Sequence, residues 1–275
     1  MHYLFDFYAK KFIIISIMKI VIKIGSSTLT HVTGQLNFRL FERLCKVLSD
    51  IKNAGNEVIV VSSGAIALGK SKLALTQRPV DIPTKQAAAA VGQCELMYFY
   101  DKYFSEYRQS VAQLLVTAED LTGGERLFNF GNTMEKLLAL GALPVINEND
   151  TVATAEISVS DNDTLSALVA VNVNADLLIL LSDIDGLYSA DPHKDEHAKL
   201  IPIVEEITDE IESIAGGSVS GLGTGGMATK IHAAKICMQK GTDMVIANGV
   251  APEIIYDIVE GKAVGTRFKG KKYDD

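Results

Sequence analysis

Apolar residues along the chain alternate between two periods. "KIVIKIG" (Lys19–Gly25), "EVIVVSS" (Glu57–Ser63), "SVAQLLVT" (Ser110–Thr117), "LPVINE" (Leu143–Glu148), "ADLLILLSD" (Ala175–Asp183) and "TDMVIAN" (Thr242–Asn248) are short, β-branched, nearly unbroken apolar runs that predict strands. Between them lie helical patterns. Phe38, Phe41, Leu44, Leu48 and Ile51 recur at helical spacing, with Asn37 as N-cap and Gly55 as the stop. Further helices are predicted in "TKQAAAAVGQCELMYFYDKYFSEY", capped by Thr84, and in "ERLFNFGNTMEKLLALG", "DTLSALVAVNV" and "MATKIHAAKICMQKG". An irregular, hairpin-like stretch follows "LPVINE". Strands apolar on both faces, alternating with helices, predict an α/β fold: a three-layer αβα sandwich around a mainly parallel central sheet. Such sheets bind ligands beyond the carboxyl ends of their strands, where this chain keeps its Gly, Ser, Asn and Asp.

The 275 residues are 48% hydrophobic and 22% charged, enough for a large core. A formal charge of -8 argues against a nucleic-acid partner, which would need a basic face. An anionic substrate would instead need a local cradle of lysines and backbone N–H groups. Cys45, Cys94 and Cys237 are far apart, without metal-ligand spacing, and read as free thiols of a reducing compartment. The apolar run Phe12–Met18 is too short to span a bilayer and lacks a small-residue cleavage site. Residues 1–17 read as an extension outside the domain, 18–268 as the domain and 269–275 as a tail.

Two glycine patterns compete as phosphate loops. Gly64 to Ser71, "GAIALGKS", matches the P-loop string after a strand, and "LLILLSD" could serve it as a magnesium-binding partner strand. The cheaper reading makes "GAIALGKSKL" the first turns of a helix capped by Ser62 or Ser63, with the anion site at Ser63–Gly64 and not at Lys70. "GLGTGG" (Gly221–Gly226) fits a dinucleotide fingerprint, but it follows a loop-like stretch and comes late. It reads better as a mobile anion cradle opening into the next helix.

Taken in order, "VIKIGSSTLT", "VSSGAIALG", "TKQAAAAVGQ", "NEND", "SDNDTLSALVA", "LSDIDGLYSADP" and "GTGGMATKIHAA" resemble the amino acid kinase family over about residues 18–268. Within it, Lys23-Ile24-Gly25-Ser26-Ser27 and the "KQAAAAVGQ" helix are similar to the branch that phosphorylates glutamate, in its short form without a PUA domain. The resemblance implies transfer of the γ-phosphoryl of ATP to the side-chain carboxylate of L-glutamate, with Mg²⁺ bridging the phosphates. It implies that Lys23 and Lys230 contact the migrating group and that Asp163, beside Asp161 and Asn162, holds both lysines. Ser63, Asn149, Asp150 and Asn162 would bind glutamate. Gly25, Ser26, Ser182, Asp183, Thr224, Gly225, Gly226, Met227, Ala228, Thr229 and Lys230 would surround ATP, and no residue is expected as a dedicated metal ligand. The resemblance also implies cytoplasmic proline biosynthesis, proline as feedback inhibitor, a homo-oligomer, and delivery of product to glutamyl phosphate reductase. Other readings of the residues are a kinase of the same fold with a different carboxylate or phosphate acceptor, a non-catalytic amino acid or nucleotide sensor, and a nicotinamide enzyme built on "GLGTGG".

Overall fold

The computed structural model describes residues 17–153, 162–192, 194–216 and 226–271. Six strands coincide with the six apolar runs: β1 (Lys19–Ile24), β2 (Glu57–Ser62), β3 (Val111–Val116), β4 (Leu143–Glu148), β5 (Leu177–Ser182) and, later in the chain, β7 (Asp243–Asn248). Two short strands, β6 (Ile203–Val204) and β8 (Thr266–Phe268), extend the far edge. The sheet order is β3-β4-β2-β1-β5-β7-β8-β6. Only the β7–β8 pair is antiparallel.

Strand alternation sorts the core into two clusters. Ile20, Ile22 and Ile24 of β1 face helices α2 (Phe38–Asn53), α3 (Ala65–Lys72), α4 (Ile82–Glu106) and α9 (Ile254–Val259). Val21 faces the other way, toward α5 (Gly124–Ala139), α6 (Asn162–Asn172), α7 (Asp209–Gly216) and α8 (Met227–Gln239). The period of two therefore puts Lys23 on the same face as Val21, beneath α6 and α8. The expected αβα sandwich is present.

Several local expectations need correction. The cap of α4 is Asp81, whose carboxylate accepts from the Thr84 N–H at 2.9 Å, and not Thr84 itself. One turn more of helix is gained because proline is tolerated in the first turn. No serine caps α3. Gly64 occupies that position with φ 104°, a left-handed turn that a side chain would strain. The Ser62 hydroxyl instead meets Tyr100 Oη at 2.9 Å. β6 and β8 are too short to show a period, and the stretch after Asp257 supplies β8, which joins β7 to the edge strand β6. The hairpin-like stretch after β4 falls mostly on 154–161, outside the described residues.

The P-loop string is resolved by packing. Residues 65–72 are helical, so Lys70 sits in the second turn of α3 and not on a phosphate loop. Gly69 faces α4 so closely that a Cβ there would lie 1.7 Å from the Ala88 carbonyl oxygen. Reciprocally, a Cβ on Gly92 would lie 1.8 Å from the Ala65 carbonyl oxygen. The glycine of "GKS" thus serves a helix crossing, which holds α4 at a fixed distance from the β2–α3 turn. Gly69→Ala must spread the two helices and should cost about 1–3 kcal/mol in chemical denaturation. Lys70→Ala should stay within about 0.5 kcal/mol of the parent. Equal effects of the two substitutions would contradict this account.

Candidate active site

Three elements deliver three charged side chains to one buried point. Lys23 comes from β1, Asp163 from the first turn of α6 and Lys230 from the first turn of α8. Lys23 Nζ lies 2.5 Å from Asp163 Oδ1, and Lys230 Nζ lies 2.9 Å from Asp163 Oδ2. The three residues are 8%, 4% and 0% exposed in the order Lys23, Lys230, Asp163. Burial alone would raise the Asp163 carboxyl, but the two adjacent cations hold it down at about 2. The sign follows: a depressed acid stabilises the fold above its ordinary value near 3.8, and that contribution is lost as pH falls from there toward 2. Among the described residues, one carboxylate faces two ammonium groups, an excess of positive charge in a nearly dry position. Such a charge is costly unless an anion arrives to meet it.

The surrounding backbone also favours an anion. Gly25 follows Lys23 so closely that a Cβ on it would stand 3.9 Å from Lys23 Nζ. The Gly25 N–H is directed at the Leu181 carbonyl at 3.4 Å, so Ser26, the first residue of the short helix α1 (Ser26–Leu29), is the better-placed donor. Gly226 caps α8 with extended backbone and no side-chain bond. Thr229 turns its hydroxyl inward, 2.7 Å from the Gly226 carbonyl and 3.1 Å from Asp163 Oδ2. Met227 packs on the core and Ala228 is exposed, so this turn faces a ligand mainly with backbone. Thr224, Gly225 and Asp161 lie outside the described residues. At the end of β5, Ser182 Oγ donates to Asp183 Oδ1 at 3.0 Å. Both residues line a cavity of about 380 Å³ on the α2 side, away from the Lys23 face.

On the other flank, an amide network joins the β2, β4 and α6 ends. Asn162 Nδ2 lies 2.8 Å from the Ser62 carbonyl, 2.8 Å from Ser63 Oγ and 3.1 Å from Asn147 Oδ1. Because a carbonyl can only accept, the Asn162 amide presents its nitrogen to this group, leaving Oδ1 as the acceptor a ligand could use. Beyond Asn147 the chain turns at Asn149, whose Oδ1 accepts from Thr151 Oγ1 at 2.7 Å. Asp150 is partly buried there, and burial pushes its carboxyl up to about 6. Glu148, Asn149, Asp150 and Thr151 line a cavity of about 450 Å³ together with Gln93, Cys94 and Met97 of α4. The Lys23–Asp163–Lys230 contacts and the Asn162–Ser63–Asn147 contacts therefore adjoin at the first turn of α6, where Asn162 and Asp163 are neighbours, and the Asn149–Asp150 turn follows Asn147 in the chain. Sequence reasoning passes over Asn147 and Gln93, although both stand inside the "NEND" and "KQAAAAVGQ" stretches. The available signal was a polar residue closing an otherwise apolar strand and another interrupting an alanine-rich helix.

The amino acid kinase family model matches residues 18–248. A relative named glutamate 5-kinase in Carboxydothermus hydrogenoformans is 54% identical over 94% of this chain and 69% of its own length. One of the same name in Clostridium perfringens is 50% identical over 92% of this chain and 96% of its own length. Among solved structures, T. acidophilum isopentenyl phosphate kinase in a product complex aligns over 92% of this chain and all of its own, with TM-score 0.62 and 20% identity. Carbamate kinase from Giardia lamblia bound to AMP-PNP aligns over 94% of this chain and all of its own, with TM-score 0.66 and 17% identity. These two likenesses speak to the fold. Together with the family match, they lead to one conclusion: the chain belongs to the amino acid kinase family.

Proposed function

We propose that the protein transfers the γ-phosphoryl group of ATP to the side-chain carboxylate of L-glutamate, giving L-glutamyl 5-phosphate and ADP, the first step of proline synthesis. The observation that carries this reading is the convergence of Lys23, Asp163 and Lys230 in one buried cluster at the carboxyl end of the sheet. Support comes from relatives named glutamate 5-kinase at 50–54% identity over more than nine-tenths of the chain.

The chemistry needs charge and alignment more than proton transfer. A carboxylate oxygen of glutamate attacks phosphorus, the bond to the ADP oxygen breaks, and the electron pair leaves with ADP. That carboxylate is ionised at neutral pH, so no general base is required. The obstacle is the approach of one anion to another. Lys23 and Lys230 lower it by meeting the transferring group with fixed positive charge in a nearly water-free position. Asp163 keeps both ammonium groups aimed at that point. Ser26 offers a backbone donor to the phosphates from the β1 side, and the Gly226–Lys230 turn offers donors from the leaving-group side. Ser182 and Asp183 border the nucleoside. Mg²⁺ would be carried by the phosphates and water, as that ion usually is, and would neutralise phosphate charge.

The acceptor's other end has matching chemistry. Asp150 and Asn162 Oδ1 receive the α-ammonium, while Ser63 and the amino end of α3 receive a carboxylate. Asn149 shapes the turn that presents Asp150. Among the described residues no helix is long and apolar enough to cross a membrane. The reading extends to a cytoplasmic homo-oligomer, inhibited by proline, that hands its labile acyl phosphate to glutamyl phosphate reductase.

Glutamate, ATP and Mg²⁺ with hydroxylamine should yield the γ-hydroxamate, and aspartate or acetylglutamate should not replace glutamate; no hydroxamate from glutamate sinks the proposal. Lys23→Met and Lys230→Met should each cut turnover by about 10² or more with the fold retained by circular dichroism. A variant that kept most of its turnover would remove that lysine from the mechanism. Asp150 is ionised only above about pH 6, so kcat/KM for glutamate should fall below that pH while ATP affinity holds. Its raised value also means that the ionised form burdens the fold above pH 6. Asp150→Asn should therefore flatten the pH profile and raise KM for glutamate without lowering Tm at pH 8.

A further inference from the structure

Two backbone groups fix the orientation of every amide around Asn147. The Glu148 N–H can only donate, so the Asn147 atom 2.9 Å from it is Oδ1. Asn147 Nδ2 then faces Gln93 at 2.8 Å, and the Gln93 atom that receives it must be Oε1. Turning the Gln93 amide over would oppose two NH₂ groups. This leaves Gln93 Nε2 buried and with no hydrogen-bond partner among the described residues. Gln93 is 8% exposed and Asn147 3% exposed, so little water relieves either group.

That arrangement is poor for stability. A buried donor without a partner keeps its desolvation cost, and an apolar side chain at position 93 would remove it only by orphaning Asn147 Nδ2 instead. Glutamate at 93 would offer an acceptor to Asn147 but bring a carboxyl into a buried place. Glutamine is the neutral side chain of that length with an acceptor. Its backbone is also held firmly, because the preceding Gly92 rests against the Ala65 carbonyl of α3. A residue that costs stability, on a fixed helix, bonded to the amide that bonds Asn162, points to a role in the site.

We infer that Gln93 is a positioning residue: through Asn147 it steadies the Asn162 amide, which the Ser62 carbonyl orients so that Oδ1 is presented to the amino-acid end of the acceptor. The relay runs Gln93 Oε1, Asn147 Nδ2 and Oδ1, then Asn162 Nδ2, with contacts of 2.8 and 3.1 Å. Without Gln93, Asn147 loses the partner on Nδ2, and its amide is held from the β4 side by the Glu148 N–H alone. Asn147 Oδ1, the longest of the three contacts of Asn162 Nδ2, is then less firmly seated beside the Ser62 carbonyl and Ser63 Oγ. The lysine cluster is untouched, since its contacts run through Asp163. The effect should thus fall on acceptor binding and spare phosphoryl transfer. This inference rests on the functional reading above, which the activity of the unaltered protein tests separately.

The experiment compares Gln93→Leu and Gln93→Glu with the parent in steady-state kinetics and thermal melting, using whichever acceptor the parent phosphorylates. Gln93→Leu exchanges one buried orphan, Gln93 Nε2, for another, Asn147 Nδ2, so Tm should shift by no more than about 4 °C. Its KM for the acceptor should rise about tenfold, the equivalent of one lost hydrogen bond, with kcat and the KM for ATP within about twofold. Gln93→Glu keeps an acceptor facing Asn147 and should restore most of the acceptor KM. An unchanged acceptor KM in Gln93→Leu overturns the inference. So does a parallel loss of Tm, kcat and both KM values, which would mark a structural role. Failure of Gln93→Glu to restore KM while remaining folded also overturns it, because Nε2 would then be the atom that matters.

Discussion

A single carboxylate, Asp163, stands between two lysines drawn from opposite ends of the chain. One carboxylate cannot neutralise two ammonium groups, and at 0% exposure it cannot borrow much help from water. Two buried ammonium groups beside one carboxylate favour the arrival of an anion. Much of the topology follows from this. β1 lies at the centre of the sheet, so Lys23 opens at the middle of its carboxyl edge. α6 and α8 pack on the same face, and their first turns meet above Lys23. The acidic residue lies at a helix amino end, where the helix dipole favours it.

The acceptor flank is built on different physics. It holds few charges and depends on amides whose orientation backbone groups dictate. The Ser62 carbonyl fixes Asn162, and the Glu148 N–H fixes Asn147. These backbone groups are themselves held by sheet hydrogen bonding and by the α3–α4 crossing, where two glycines admit backbone contact. Stability is surrendered at particular points: an orphaned amide nitrogen on Gln93 and a carboxyl raised to about 6 at Asp150. Both lie around the acceptor cavity, which is where binding would recover the cost.

The sequence made the sheet legible because six strands are apolar on both faces and long enough to show it. β6 and β8 were hidden by brevity, and β8 by a direction reversal that no periodicity encodes. The helix starts at Asp81 and Gly64 were displaced by one to three residues, since a cap is set by backbone geometry as much as by residue type. Lys23, Asp163 and Lys230 were legible through motif resemblance. Their convergence depends on strand order, which local pattern does not contain. Asn147 and Gln93 escaped notice because a buried amide at a strand end looks like any polar terminus until its partners are known. The P-loop string misled for a related reason: spacing alone does not distinguish a glycine that admits phosphate from one that admits a neighbouring helix.

The most direct measurement is a crystal structure with ADP, aluminium fluoride and glutamate bound together. The account requires Nζ of Lys23 and Nζ of Lys230 both within about 3.2 Å of fluorine or oxygen atoms on the planar aluminium group, from opposite sides of Asp163. Either ammonium turned away from that group, with Asp163 intact between them, would contradict it.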